Sequence, residues 1–246
     1  MYEMMTGWIA DPLKHGPYLM SSFWLLVLGF YVWHGLGITI GYHRLLSHRA
    51  FRCPKLVEYA LIAPAYLSFQ GSPIWWATMH RAHHKYSDTP LDPHSPRGGW
   101  RGIWHAYVFY RSRLCQKYAY PDHIDPVSNS PDLMKDPLYR FLEQYESGNW
   151  YAHYLINITV CILFRALLYF CFGWSVALAS IVAVIISFNA PLIFNILSHT
   201  PRLGYRTFET GDDSINCWWI ASLTFGDGWH NNHHQFPGSA RAGLRP

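Results

Sequence analysis

Charge is what this sequence lacks most. Only 14% of its 246 residues are Asp, Glu, Lys or Arg, against about a quarter in an ordinary soluble domain. With half of the residues hydrophobic, a surface bathed entirely in water is excluded. The net charge of +4 is small, and no Lys/Arg block or helix-turn-helix pattern accompanies it, so nothing favours nucleic acid as a partner. Cysteine is also scarce. Cys53, Cys115, Cys161, Cys171 and Cys217 form no CxxC pair, which excludes a disulfide framework and a zinc ribbon. The polar segment Met1 to Pro17 holds Pro12 and Pro17, so no cleavable signal peptide is expected. No linker-like stretch divides the chain, and one domain over residues 1–246 is expected.

Aromatic residues and long apolar runs are plentiful. Aromatics reach 17%, with 12 Trp and 17 Tyr, residue types that favour the headgroup zone of a bilayer. A helix needs about 20 apolar residues to cross the hydrocarbon layer. Residues 19–40, 151–172 and 174–196 meet that length, and Gly173-Trp174 supplies a short turn between the last two. The run 56–69 is shorter and is followed by Gly71 and Pro73. The fold class expected is an all-α membrane protein with about three spans and one interfacial helix.

Topology decides for the interfacial placement. Histidine clusters follow the first span, the short run and the last span. If they share one metal site they lie on one side of the membrane, so the run 56–69 does not cross. Arg44, Arg49, Arg52, Lys55, Arg81, Lys85, Arg97, Arg101, Arg111, Arg113 and Lys117 follow the first span, while Lys14 alone precedes it. The positive-inside rule then predicts a cytoplasmic histidine face, in a bacterial inner membrane or an ER-type membrane. Arg165 lies inside the second span, and the expectation is that it snorkels toward the far headgroups.

The 15 histidines are the main anomaly. His43 and His48 form HxxxxH; His80, His83 and His84 form HxxHH; His230, His233 and His234 form HxxHH again. On a helix, positions i, i+3 and i+4 share a face, so each HxxHH is expected to aim three imidazoles one way. Neutral imidazole ligates iron, zinc or copper. These eight nitrogens suffice for two metals with positions left vacant. His199, just past the last span, is a ninth candidate, and Asn195 one turn earlier faces the same way and suits a metal-bound water. Structural zinc prefers thiolates and a closed shell of four, whereas an oxygen-activating metal needs vacancies. Metal-bound imidazoles normally donate their other N–H to a carboxylate; Asp88, Asp92, Asp213 and Asp227 lie near the boxes and are the candidates. His15, His34 and His153 read as packing or interfacial residues, and His94, His105 and His123 as intermediate cases.

From about Leu36 to Gly243 the sequence resembles the integral-membrane fatty-acid desaturases, in particular the delta-9 stearoyl-type branch and its bacterial acyl-lipid relatives. The motifs are Gly-Tyr-His43-Arg-Leu-Leu-Ser-His48-Arg, His80-Arg-Ala-His83-His84-Lys-Tyr-Ser-Asp88, Asp92-Pro-His94-Ser, Asn195-Ile-Leu-Ser-His199 and Gly-Asp-Gly-Trp-His230-Asn-Asn-His233-His234-Gln-Phe-Pro. The resemblance implies two ferrous ions held by His43, His48, His80, His83, His84, His199, His230, His233 and His234, with Asn195 acting through water. It also implies that Gln70 and Trp76 sit near the bend of an acyl tunnel. The implied reaction uses O2 and two electrons to place a cis double bond in a saturated chain carried on CoA or lipid. A hydroxylase uses the same metal pair, and an alkene or an alcohol product separates the two. No His-Pro-Gly-Gly heme motif is present, so the electrons come from a separate ferredoxin or cytochrome b5-type protein, for which Arg111, Arg113 and Lys117 are candidate docking residues. Members of the family commonly have two spans before the first box and a further segment after the third. Animal acyl-CoA enzymes carry Arg-Asp where this chain has Thr78-Met79, so acyl-lipid and acyl-carrier substrates stay open.

Overall fold

The computed structural model describes residues 16–108, 120–144, 147 and 152–244. The segment before Gly16 and the residues Arg111, Arg113, Lys117 and Tyr151 lie outside them. Helices dominate: α1 Gly16–Leu36, a π-helical segment Gly37–Ser47, α2 Lys55–Tyr66, α3 Pro73–Tyr86, α4 Trp100–Tyr107, α5 Pro126–Asn129, α6 Pro137–Glu143, α7 Ala152–Phe172, α8 Trp174–Ser198, α9 Trp218–Leu223 and α10 His230–Gln235. Among the described residues no strand forms beyond isolated bridges of Tyr205 with Asn216 and Asn216 with Trp229.

Among the described residues, three helices have the length and apolarity to cross a membrane: Ser21–Ser47, Ala152–Phe172 and Trp174–Ser198. Their outer faces carry Leu25, Leu163, Leu167, Phe170 and Ile185, all exposed, which is the surface expected against lipid rather than water. Gly173, at φ +84°, turns the chain between α7 and α8. The first span runs on past residue 40. It continues without a break into the π-helical segment and ends only at Ser47.

The short run forms α2, whose 12 residues rise about 18 Å, less than a bilayer core. It packs antiparallel along the first helix, with the Pro64 carbonyl on His34 Nδ1 at 2.7 Å. Two glycines permit this approach. A Cβ on Gly41 would stand 2.5 Å from the Leu61 carbonyl, and one on Gly37 would stand 2.6 Å from the Ala65 nitrogen. The Tyr66 carbonyl at its end is met by Asn157 Nδ2 at 2.8 Å and Cys161 Sγ at 3.3 Å on α7. Buried irregular backbone is tolerated at such depth only when its polar groups are satisfied; Tyr42 accordingly donates to the Gly71 carbonyl at 2.9 Å.

The chain then returns through α3. Ser72 caps this helix by accepting the Trp75 amide at 3.0 Å, with Pro73 in its first turn. Glu143, from α6, is buried beside the same cap. It accepts from the Ser72 hydroxyl, from Tyr120 at 2.5 Å and from the Trp75 amide at 3.2 Å. The carboxylate thereby satisfies orphan donors at a helix N-terminus. Burial pushes its pKa up to about 7 despite those donors.

Candidate metal centre

The nine candidate histidines meet at one end of the helix bundle, in two groups. His43, His48, His80, His84 and His233 form one; His83, His199, His230 and His234 form the other. Within each group the ligand-capable nitrogens lie within 4.8 Å of one another. Each HxxHH box contributes to both groups instead of aiming all three rings one way. His80 and His84, four apart on α3, enter the first group while His83 enters the second. On α10 the pattern is reversed, with His230 and His234 in the second group and His233 in the first. The i, i+4 pair lies on one line of the helix, and the i+3 residue is offset to the neighbouring line. Two facing helices can therefore serve two centres.

The π-helical segment explains how HxxxxH works. In an α-helix residues five apart stand about 140° away from each other. Here the His48 amide donates to the His43 carbonyl at 3.2 Å, the i to i+5 pattern of a π-turn. This wider turn brings both rings together, 4.9 Å between centroids. Arg81, inside the second box, anchors the end of that segment. It donates to the Leu46 and Ser47 carbonyls at 2.6 and 2.9 Å and forms a two-pronged pair with Asp132. The two asparagines of the third box are clamps. Asn231 accepts the Thr207 and Phe208 amides at 2.8 Å, and Asn232 accepts from Asn216 Nδ2 at 2.8 Å.

Four carboxylates orient the rings. His83 Nδ1 lies 3.0 Å from Asp92, His199 Nδ1 2.7 Å from Asp88, His234 Nδ1 2.7 Å from Asp212 and His43 Nδ1 3.2 Å from Asp227. An ionised carboxylate only accepts, so each of these Nδ1 atoms carries the hydrogen, and in a neutral ring Nε2 keeps its lone pair. Asp213, expected in this role, instead takes Arg97 Nε at 2.5 Å, and its neighbour Asp212 faces His234. Asp212 lies in a bend, where it also accepts the Ser214 amide at 3.0 Å, and the sequence alone does not say which of the two carboxylates this turn aims at the histidines. Burial works against charge on Asp88, yet the His199 hydrogen bond holds its pKa well below the usual range. Asp92 is lowered to about 2 against the same burial, chiefly by His83.

The Nε2 atoms converge on one another. In the first group they approach at 2.9 Å for His43 and His233, 2.8 Å for His48 and His80, and 3.1 Å for His80 and His84. In the second, His230 lies 3.1 Å from both His199 and His234. The Nε2 of fully buried His83 has no hydrogen-bond partner. Burial, and then repulsion from neighbouring rings, holds His48, His80, His84, His230 and His233 well below the ordinary imidazole value. Burial opposes charge on His83 too, but Asp92, with Asp88 and Asp212 beyond it, raises its pKa. Neutral rings with lone pairs aimed at a common point are the donor set of a transition-metal site. Two such ions fit this one, with five and four imidazoles.

Among the described residues, a large and a small cavity adjoin the histidines. The larger, about 960 Å³, begins at His80 and His94 and continues past Gln70, Trp76 and Leu192 to Tyr169 and Trp174. From Leu192 to Trp174 along α8 is about 27 Å at the helical rise. Trp76 stacks on the His80 ring at 5.1 Å, and its indole N–H donates to Gln70 Oε1 at 3.2 Å. Gln70 in turn donates to the Ser187 carbonyl at 3.1 Å. The smaller, about 110 Å³, is bordered by His43, His80, His230 and Asn195. Asn195 donates to the His94 carbonyl at 3.2 Å. His94 itself lies 4.4 Å from His83, ring to ring, and lines both cavities; its Asp-Pro-His context was the only sequence signal for it. Arg165 does not snorkel. It is 8% exposed and donates back to the Cys161 carbonyl at 2.9 Å, toward the histidine end of α7.

Comparison with known proteins agrees with this architecture. The fatty acid desaturase family profile matches residues 19–245. An sn-1 stearoyl-lipid 9-desaturase of Anabaena variabilis is 39% identical over 219 residues, covering 89% of this chain and 73% of the relative. An acyl-CoA 5-desaturase, AL21, of Anemone leveillei is 37% identical over 224 residues, covering 91% and 64%. An sn-2 palmitoyl-lipid 9-desaturase of Nostoc sp. (strain 36) is 35% identical over 229 residues, covering 91% and 73%. With the family profile spanning nearly the whole chain and these relatives aligned across most of it, this membrane protein belongs to the fatty acid desaturase family.

Proposed function

We propose that the chain inserts a cis double bond, at the delta-9 position, into a saturated acyl chain carried on CoA or lipid. The observation that carries this reading is the apolar cavity of about 960 Å³ lined at one end by His80, of the first histidine group, and His94, which lies beside His83 of the second. His43, His48, His80, His84 and His233 would hold one iron, and His83, His199, His230 and His234 the other, with Asn195 placing a water. Bound ferrous iron would supply the redox chemistry: O2, two external electrons and two protons from solvent, together with two hydrogens from the chain, give two waters.

The protein's own residues do the positioning. Neighbouring methylenes are chemically alike, so selection among them comes from place alone. The Trp76 indole, held by Gln70 and stacked on His80, fixes where the chain bends beside the first histidine group. The apolar wall keeps water from that stretch. Asp88, Asp92, Asp212 and Asp227 hold the imidazoles in the tautomer that presents Nε2. The positive charges after the first span favour a cytoplasmic catalytic face, in a bacterial inner membrane or an ER-type membrane. A ferredoxin or cytochrome b5-type carrier would dock there, with Arg111, Arg113 and Lys117, outside the described residues, as the candidate docking residues.

Expression in a host lacking its own desaturase, together with a donor system, tests the reading by fatty-acid profile. A new cis-monoene whose double bond maps to delta-9, and which disappears with His83→Ala, is expected. A hydroxylated chain, or no product from protein loaded with both metals, would overturn it.

A further inference from the structure

Arg165 is a feature of the large cavity that a plain hydrocarbon chain leaves unexplained. Its residue is 8% exposed, and it lines the cavity together with Asn157, Tyr169 and Trp174. Only Nη1 is satisfied, by the Cys161 carbonyl. The Nε and Nη2 atoms are buried without a hydrogen-bond partner and present almost no surface to the cavity, so an occupant meets them when the guanidinium turns toward it. Phe69 and Phe164 lie against the guanidinium at 5.1 and 5.4 Å; their π-faces attract the cation but accept none of its in-plane hydrogens in the way an oxygen does. Among the described residues that line the cavity there is no Asp or Glu. The Asn157 amide already donates to the Tyr66 carbonyl.

A charge inside a span faces the bundle interior or a cavity and meets a partner there. A guanidinium keeps its proton at any accessible pH and offers a fork of donors matched to an oxyanion. Arg165 stands 11 residues along α7 from Tyr154, which borders the histidine end of the cavity. That is about 16 Å of helix, so whatever it meets lies well away from the histidines. Resting on the reading of the cavity as an acyl site, we propose that Arg165 is a second recognition point, for an oxyanion of a long-chain amphiphile held within the membrane. The group is a carboxylate or phosphate oxygen. It belongs either to the far end of the chain being processed, making an ω-oxygenated acyl chain a substrate class, or to a bilayer lipid reaching in beside Tyr169 and Trp174.

Equilibrium binding to the purified full chain separates these possibilities without turnover. Two radiolabelled probes of one length are compared: methyl hexadecanoate, and monomethyl hexadecanedioate with a carboxylate at its far end. Wild type is expected to prefer the second by about tenfold or more, the scale of a desolvated charge-assisted hydrogen bond. Arg165→Met, close in volume and apolar, should reduce the preference to within about twofold, and Arg165→Lys should keep part of it. Competition by phosphatidylglycerol assigns the oxyanion to a bilayer lipid; its absence assigns it to the chain's own far end. Equal binding of both probes by wild type, or a preference that Arg165→Met retains, would overturn the proposal. Either result leaves the desaturase reading intact, because that reading fails only on the products formed.

Discussion

At the scale of single residues, the ring nitrogens and the carboxylates behind them are the units of the site. Asp212 and Asp213 are neighbours with opposite jobs: Asp212 holds His234 and Asp213 holds Arg97. Losing a carboxylate behind a metal-bound imidazole typically costs 10–100-fold in metal affinity. Asp212→Ala is therefore expected to lower iron affinity by about that factor, measured by competition with a chelator. Asp213→Ala, which removes only a half-exposed ion pair, should change it by less than about twofold. Equal losses would show that the carboxylates act through general electrostatics instead. The histidines themselves were legible in the sequence, because HxxxxH and two HxxHH boxes are rare patterns of one residue type. Which carboxylate faces which ring was not, since it depends on the local direction of the 205–216 segment and not on spacing.

At the scale of elements, the wide turn of Gly37–Ser47 and the close contact with α2 set the first box. A side chain on Gly41 would meet the Leu61 carbonyl, so Gly41→Ala should destabilise the fold by about 1–3 kcal/mol, read as a lower thermal midpoint in detergent. The π-turn was hidden in the sequence, where the first span reads as ending at residue 40 and His43 and His48 as a box beyond it. An unbroken wide turn depends on packing against α2 and on the Arg81 clamp, both of them long-range. The splitting of each HxxHH between two groups was hidden for the same reason: one helix alone shows a single histidine face, and only the opposed second helix reveals two centres. Glu143 makes the third element-scale case. Its carboxyl titrates near 7 when folded, above its ordinary value of 4.5, so the folded state binds the extra proton between those values. Its contribution to stability is therefore fullest below about pH 4.5 and is lost as pH rises to about 7, by up to about 3 kcal/mol. Glu143→Gln keeps an acceptor oxygen for one of the Ser72 and Tyr120 hydroxyls, while the other must turn to accept from the amide; it should flatten that part of the thermal-midpoint profile. An unchanged slope would place the titration elsewhere.

At the scale of the whole molecule, three apolar spans were readable from length and composition, and the structure places helices there. Arg165 was not readable in the same way. From sequence, a cation in a span suggests escape to the headgroups, and only the packing of α7 against α2 and the cavity shows it turned inward. On the proposed reading, Gln70 and Trp76, hydrogen-bonded to each other and with Trp76 stacked on His80, set the bend that couples the cavity to the histidines. Trp76→Ala is expected to scatter the double-bond position over neighbouring carbons and to lower yield by about 10-fold or more, since a 1 Å misplacement costs on the order of 100-fold; a single unchanged position would show that the bend is set elsewhere.

The central claim is two metal ions in two imidazole groups, and metal content of purified protein tests it most directly. Wild type reconstituted anaerobically with ferrous iron should hold two irons per chain. His48→Ala, in the group of five, and His230→Ala, in the group of four, should each fall toward one while remaining folded in the membrane. One iron in wild type, or a full complement in both variants, would contradict it.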